Sequence, residues 1–207
     1  MLEVLTATGL ATAAGLNAGL PLLVLGTLAR WTALVELPVG WKWLTQDWVL
    51  AVLAVLVLLD VVADKVPGLD HLNDLVQSVV RPTSGGLAFG AGVGATTPAV
   101  ADPTALDGTG VWVPVALGVL LSLAVHLAKA LARPWLSAGT VGVAVPVVSA
   151  AEDAAGLALS LAAVLVPAAV AGLLLAAGVA VVRLGRRRRA VRRRVPGAAR
   201  ARRDPVP

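Results

Sequence analysis

The chain has 207 residues, of which 58% are hydrophobic and only 14% are charged, and its formal net charge is +5. Its mean hydropathy is +0.87, which excludes an ordinary soluble globular protein and predicts a multi-pass membrane protein. The absence of cysteine excludes a disulfide framework, a thiol nucleophile and thiolate metal ligands.

Apolar runs of about 20 residues predict membrane-spanning helices. They lie near residues 4–30, 48–66, 84–101, 111–132 and 153–182. Residues 137–153 are short and interrupted by glycine and proline, which favours a re-entrant or half-helix and leaves a sixth crossing open. The predicted fold class is therefore all-α, a polytopic membrane helix bundle of about five spans. Residues 1–182 are the predicted transmembrane domain, and residues 183–207 are a basic, disordered tail.

The first predicted span contains a polar residue near its middle. Asn17 lies there, and Pro21 removes a backbone hydrogen bond and frees the carbonyl group one turn earlier. This pattern indicates either a discontinuous helix, whose exposed ends bind ions in many transporters, or a plain proline kink. Asn17 is therefore a candidate residue of a solute or ion pathway.

The second span ends in an unusually charged stretch. Asp60 and Asp64 share one helical face, and Lys65 is the nearest opposite charge in sequence. A carboxylate at this depth is costly unless it faces a protein interior, a partner or water, so these three residues are candidate site residues. Pro67 and Gly68 are expected to end the helix.

Residues 70–81 have the pattern of an amphipathic helix. Asp70, Asp74 and Arg81 fall on its polar side, so we expect it to lie at the membrane interface or to cap a cavity. In the following span, Gly86, Gly90 and Gly94 recur every four residues, a spacing that is typical of close helix packing.

Further charges lie at the end of the fourth span and at the start of the fifth. They are His126, Lys129, Arg133, Glu152 and Asp153. The five-span topology brings these helix ends together with the end of the second span, so we expect the acids to neutralise the bases. The cluster is interpreted as a salt-bridge network, as a solute or ion pathway, or as a catalytic centre.

The tail contains most of the positive charge. Residues 183–207 hold eleven Lys or Arg against one acid, whereas residues 1–182 hold six against eleven. The positive-inside rule then predicts a cytoplasmic C-terminus and, with five crossings, an external N-terminus. Contact of the tail with anionic lipids is expected in addition, and nucleic acid is not an expected partner.

Several of these motifs occur together in a known family. Gly15 to Asn17 with Pro21, the block of residues 63–70, Arg81 with Pro82, Lys129 with Arg133, and Ser149 with Glu152 and Asp153 stand in that order. The chain resembles the bacterial multi-pass membrane proteins grouped as domain of unknown function 4126. Asp60 stands where a glutamate is expected in relatives. The resemblance implies a prokaryotic multi-pass membrane protein and no particular activity.

The leading functional hypothesis is a small-solute or ion transporter or channel in the plasma membrane. An intramembrane lipid-modifying enzyme is the first alternative, because the pairs Asp60 with Asp64 and Asp70 with Asp74 are similar to carboxylates that hold magnesium. A structural or assembly protein is the second. Enzymatic activity is not favoured, no metal or cofactor is expected, and the oligomeric state, including a homo-oligomer, stays open.

Overall fold

The computed structural model describes residues 1–63, 70–140, 145–176, 178, 179 and 183. The helices are α1 (Leu2–Leu16), α2 (Gly19–Trp31), α3 (Asp47–Ala63), α4 (Asp70–Val93), α5 (Trp112–Thr140), α6 (Val145–Leu165) and α7 (Pro167–Ala176), with a 3-10 helix at Val39–Thr45. The predicted all-α class is confirmed for the described residues, in which extended pairing is limited to isolated bridges such as Glu36 with Thr96.

The chain divides into two compact units. The first unit is Met1–Val170, and it contains α1 to α6. The second unit is Ala171–Pro207, and its described residues are helical. The basic run predicted as a cytoplasmic tail begins at residue 183 and otherwise lies outside the described residues, so its disorder stays a prediction.

Two helices of the described chain are long and apolar enough to cross a membrane, Trp112–Leu131 in α5 and Pro146–Leu165 in α6. A third crossing results if the 3-10 helix and α3, bent by 64° at their junction, count as one span. Large apolar side chains, among them Leu58 of α3 and Val79 of α4, are exposed on the surface. This surface is compatible with a membrane protein, but five spans are not confirmed.

The first predicted span, residues 4–30, is a helical hairpin. Near the start of α1, Glu3 Oε1 accepts a hydrogen bond of 2.9 Å from the backbone N–H of Ala105, in the connection that follows α4. At the end of α1, the carbonyl oxygen of Gly15 accepts a hydrogen bond of 3.4 Å from Arg81 Nη1, in the middle of α4. α1 therefore runs antiparallel to α4 and ends halfway along it.

α2 returns toward the end at which α1 began. Gly19, at the start of α2, packs against Val57 near the end of α3, whereas Gly26 packs against Leu44 and Leu50 near its beginning. The 3-10 helix before α3 is in turn packed on the last turn of α4, where Trp41 contacts Gly90. Both arms of the hairpin thus open toward the C-terminal end of α4, and only the turn between them reaches the middle of the bundle.

Tryptophans mark the end at which the hairpin opens. Four of them are exposed there, at the end of α2, in the 3-10 helix and at the starts of α3 and α5: Trp31, Trp43, Trp48 and Trp112. We call this the tryptophan end. Tryptophan is enriched at membrane–water boundaries because its ring is amphipathic. An exposed ion pair of Arg30 with Asp47, 3.2 Å between Nε and Oδ1, lies at the same end.

Glycine allows the close packing of α4 against α5. A Cβ atom on Gly85 would overlap the side chain of Ser122, and one on Gly118 would overlap the carbonyl group of Gly85. Gly86, from the predicted four-residue series, also packs on α5 through Val115 and Val119. Gly90 packs both on Val115 of α5 and on Trp41, whereas Gly94 packs against Pro38 in the connection between α2 and α3, so two of the three members serve helix–helix contact.

The structure differs from the predicted interfacial helix at residues 70–81 and from the predicted span 84–101. Residues 70–81 and the first part of the predicted span belong to α4, which continues through Pro82 and ends at Val93. Gln77 and Arg81 are buried, while Leu75 and Val79 are exposed, so the polar side of this helix faces the protein and the apolar side faces outward. Helix periodicity alone does not show which side faces the protein, and a position of residues 70–81 at the membrane interface stays a prediction.

The described residues of the predicted re-entrant segment, 137–153, belong to two helices. Its first residues end α5 at Thr140 and its last residues begin α6 at Val145, and residues 141–144 lie outside the described residues. The predicted fifth span, residues 153–182, is divided at Val166, before Pro167.

Candidate functional site

The turn of the hairpin, residues 15–18, is the centre of the candidate site, and we call it the hairpin tip. Asn17 is in an extended conformation, with φ −142° and ψ 121°, which ends α1. Its Oδ1 atom accepts hydrogen bonds from the backbone N–H groups of Gly19 at 3.2 Å and Leu20 at 3.3 Å. Asn17 thereby caps α2, and Pro21 lies in the first turn, where its missing N–H costs little. The chain is discontinuous here and not simply kinked.

Side chains from two other helices bind the carbonyl groups that the break exposes. Arg81 of α4 donates to the carbonyl oxygen of Gly15, and Lys129 of α5 donates to that of Leu16, at 3.2 Å from Nζ. Ser84 of α4 donates through its hydroxyl group to the carbonyl oxygen of Ala18. The last carbonyl groups of a helix have no partner within the helix and carry partial negative charge, so cationic donors suit the end of α1.

Arg81 is held in a buried network with α3. Gln77 Nε2 donates to Asp60 Oδ1 at 2.7 Å, and Arg81 Nε donates to Gln77 Oε1 at 3.3 Å. The Arg81 Nη2 atom lies 3.8 Å from Asp60 Oδ2, which makes an ion pair but not a hydrogen bond. Because Arg81 is fully buried and Asp60 is 6% exposed, the charges compensate each other in a region of low dielectric constant.

A second ion pair joins α5 to α6. Lys129 Nζ lies 2.7 Å from Glu152 Oε2, and the Lys129 side chain is buried. The next residue, Asp153, contacts the hairpin tip directly, because its Oδ1 atom accepts a hydrogen bond of 2.9 Å from Asn17 Nδ2. The Asp153 Oδ2 atom is buried and has no hydrogen-bond partner among the residues described. All four residues of the tip are therefore bound by α4, α5 or α6.

Six of the predicted site residues meet at this tip although they are far apart in sequence. They are Asn17, Asp60, Arg81, Lys129, Glu152 and Asp153. His126 is buried one turn before Lys129 on α5. Asp64 and Lys65 lie outside the described residues, and Asp70, Asp74 and Arg133 belong to helices whose backbone alone is described at those positions. Within the described chain, no three His, Asp or Glu side chains form a group that could hold a metal ion.

One base that pairs with Asp60 lies far from it in sequence. It is Arg81, 21 positions away on α4, while Lys65, the nearest base along the chain, lies outside the described residues. Arg81 was predicted to lie on the polar side of an amphipathic helix at the interface or over a cavity, and in the structure its side chain is fully buried. Helix periodicity shows that two sides of α4 differ and does not show which side faces the protein.

Three further residues of the site were missed. Gln77 bridges Asp60 to Arg81, Ser84 binds the hairpin tip, and Ser122 donates to the carbonyl oxygen of Arg81 at 2.8 Å. A signal for the first two was present in the sequence, since Gln77 and Ser84 lie four before and three after Arg81 on the same face of a helix.

The hairpin tip lies deep in the bundle. Arg81 precedes the end of α4 by twelve residues, which corresponds to roughly 18 Å of helix from the tryptophan end at 1.5 Å per residue. The hydrocarbon core of a bilayer is about 30 Å thick. The site therefore combines, at one depth, two cations that each have a carboxylate partner, a third carboxylate, and the broken backbone of a hairpin.

Comparison with known proteins gives a family but no activity. The family model described as Domain of unknown function (DUF4126) matches residues 4–187, which include every residue of the hairpin tip and of its partners. No curated protein and no solved structure matches the chain.

Proposed function

The chain belongs to the DUF4126 family, and we propose that it is a plasma-membrane transporter or channel whose path for a small solute or ion passes the hairpin tip. The observation that carries this proposal is the discontinuous backbone at residues 15–18, bound by charged side chains in the middle of the helix bundle. Non-helical backbone at membrane depth is tolerated where it is buried in protein or lines a cavity. Transporters use such broken helices to bind substrates and coupling ions.

The ion pairs support the same proposal. A buried pair is a weak source of stability, because the cost of removing both charges from water is close to the Coulombic gain. Arg81 with Asp60 and Lys129 with Glu152 both lie next to the tip, and each cation also binds one of its carbonyl groups. Ionisable residues placed at this depth commonly belong to substrate or ion pathways. A permeating solute that displaces one partner of a pair would also release the tip.

The orientation of the protein is part of the proposal. The basic run that follows residue 182 favours a cytoplasmic C-terminus by the positive-inside rule. Its arginines are suited to anionic lipid head groups of the inner leaflet, each contributing on the order of 1 kcal/mol near the surface. The paired-aspartate enzyme remains an alternative hypothesis, since Asp64 lies outside the described residues and the side chains of Asp70 and Asp74 are not described.

Flux through the purified protein tests the proposal. Proteoliposomes should pass at least one member of a panel of ions and small metabolites faster than protein-free vesicles. Asp60→Asn keeps an acceptor for Gln77 but removes the charge beside Arg81, so it should abolish that flux while the protein remains folded. Asp47→Asn, at an exposed ion pair, is the matched control and should retain flux. Vesicles that leak no faster than empty ones, or an Asp60→Asn variant with normal flux, would contradict the proposal.

A further inference from the structure

Among the residues that the structure describes, the hairpin tip has one carboxylate more than the two that form ion pairs with Arg81 and Lys129. Arg81 is paired with Asp60, and Lys129 is paired with Glu152. Asp153 is the third carboxylate, and among the described residues its contact is the neutral amide of Asn17. The orientation of the Asn17 amide is fixed, because its oxygen accepts hydrogen bonds from the N–H groups of Gly19 and Leu20. The amide nitrogen therefore faces Asp153.

One oxygen of the Asp153 carboxylate lacks a hydrogen-bond donor among the described residues. Asp153 Oδ1 has its hydrogen bond, whereas Oδ2 is buried and has no hydrogen-bond partner in the described part of the chain. An uncompensated buried carboxylate is costly, and such groups are normally neutralised or paired. Asp153 as a whole is partly exposed, although its Oδ2 atom is buried.

We propose that Asp153 is the binding site of a small monovalent cation, either a proton or a sodium ion, which neutralises this carboxylate beside the hairpin tip. The inference rests on the proposed function, because the cation would be the transported species or the ion that drives transport. The tip then contains three neutralised carboxylates, two by fixed bases and one by an exchangeable cation. Because Asp153 binds Asn17, and Asn17 caps α2, occupancy of the site is linked to the position of the hairpin arm.

Thermal unfolding of the detergent-solubilised protein tests cation binding without reference to flux. The wild type, Asp153→Asn and the control Asp47→Asn are compared in two series at constant ionic strength. One series replaces choline with sodium at fixed pH, and the other lowers the pH from 8 to 5 in sodium-free buffer. A ligand that binds the folded but not the unfolded state raises the unfolding temperature as its concentration increases, so the responding series identifies the cation.

We expect the wild type and Asp47→Asn to gain stability in one series and Asp153→Asn to lose that gain. Among the described residues, the other charged or titratable groups near the tip are Glu152, Lys129, His126, Asp60 and Arg81, and all five are retained in Asp153→Asn. A response that comes from these groups alone is therefore expected in both proteins. A wild type that responds to neither cation, or an Asp153→Asn variant that responds like the wild type, would overturn the inference.

Two further measurements keep the outcome interpretable. If Asp153→Asn does not fold, infrared spectra of wild-type protein carrying ¹³C-labelled aspartate decide, since an aspartate carboxylate band that does not change with either cation overturns the inference. Flux is then measured on the same proteins after their reconstitution into proteoliposomes. Cation-dependent stability without any flux would support the Asp153 cation site and contradict the transport proposal. Flux without cation-dependent stability would support the transport proposal and contradict the Asp153 cation site.

Discussion

Arg81 and Lys129 lie on different helices, 48 positions apart, and donate hydrogen bonds to the carbonyl oxygens of two consecutive residues, Gly15 and Leu16. Each of the two bases also has its own carboxylate partner. The end of α1 is thus held by two ion pairs that are independent in sequence and adjacent in space. Changes in either pair are therefore expected to act on the same structural feature, the hairpin tip.

A double-mutant cycle on Lys129 and Glu152 should show strong coupling. Lys129→Gln or Glu152→Gln alone leaves a charge without its partner in a poorly solvated region, which typically costs about 3 to 5 kcal/mol when one partner of a buried pair is removed. The double variant should cost less than the sum of the two single changes. Unfolding free energies from detergent titration measure this coupling.

The exposed pair of Arg30 with Asp47 is the control for that cycle. Its side chains are 47% and 73% exposed, and solvent-exposed pairs contribute about 0 to 1 kcal/mol. Arg30→Gln and Asp47→Asn should therefore be close to additive. Additive effects at Lys129 and Glu152 as well would contradict the close contact of 2.7 Å between these two side chains.

The hairpin predicts which residues share one side of the membrane. Because α1 and α2 both open toward the tryptophan end, Leu2, Gly40 and Ala101 should lie on one side, and Asp70, at the start of α4, on the other. The chain has no cysteine, so a single cysteine at each of these positions reports its own accessibility to an impermeant thiol reagent in intact cells. Gly40 has open space for a side chain. Opposite labelling of positions 2 and 40 would show that residues 4–30 cross the membrane and would exclude the hairpin.

Glu3 anchors the connection between α4 and α5 and should give a pH-dependent stability. A hydrogen bond of 2.7 Å from the amino terminus, with further bonds from the backbone N–H groups of Glu3 and Ala105, lowers the pKa of this carboxyl to about 2. A lowered pKa stabilises the folded state above the unfolded-state value of about 4.3, and this contribution is lost as the pH falls toward 2. Glu3→Gln should remove that part of the pH dependence between about pH 5 and 2, as measured by unfolding temperature. An unchanged pH profile in Glu3→Gln would show that the carboxylate does not hold the connection.

The sequence contained enough information to identify most members of the site but not their pairing. Asn17, Asp60, Lys129, Glu152 and Asp153 are recognisable because polar groups next to long apolar runs are costly. Which acid pairs with which base depends on the direction in which each helix runs. If residues 4–30 are read as one crossing and not as a hairpin, the predicted position of this segment relative to all later helices changes. Residues 4–30 have the length and composition of a crossing, and Asn17 and Pro21 indicate a break there. A kinked span and a hairpin share this local pattern, and contacts with distant residues such as Arg81 and Val57 decide between them.

Asn17 is the residue whose replacement should disturb the tip most directly. Asn17→Ala removes the cap of α2, worth about 0.5 to 2 kcal/mol, and also leaves Asp153 Oδ1 without its donor, a further cost of about 1 to 3 kcal/mol for a buried acceptor. Asn17→Asp keeps an acceptor for Gly19 and Leu20 but places a second carboxylate beside Asp153. Both variants should therefore lose unfolding free energy in detergent, and Asn17→Asp should recover part of it when Asp153→Asn is added.

Thr12→Ala, five positions earlier on α1, is the matched control for Asn17. Its hydroxyl group donates to the carbonyl oxygen of Thr8 within the same helix, so its removal leaves the contacts of the tip intact. Flux in proteoliposomes should fall in both Asn17 variants and remain in Thr12→Ala. If Asn17→Asp were as stable as the wild type, and adding Asp153→Asn had no effect on it, then Asn17 would not be in contact with Asp153. The coupling of that carboxylate to the arm α2 would then have to be abandoned.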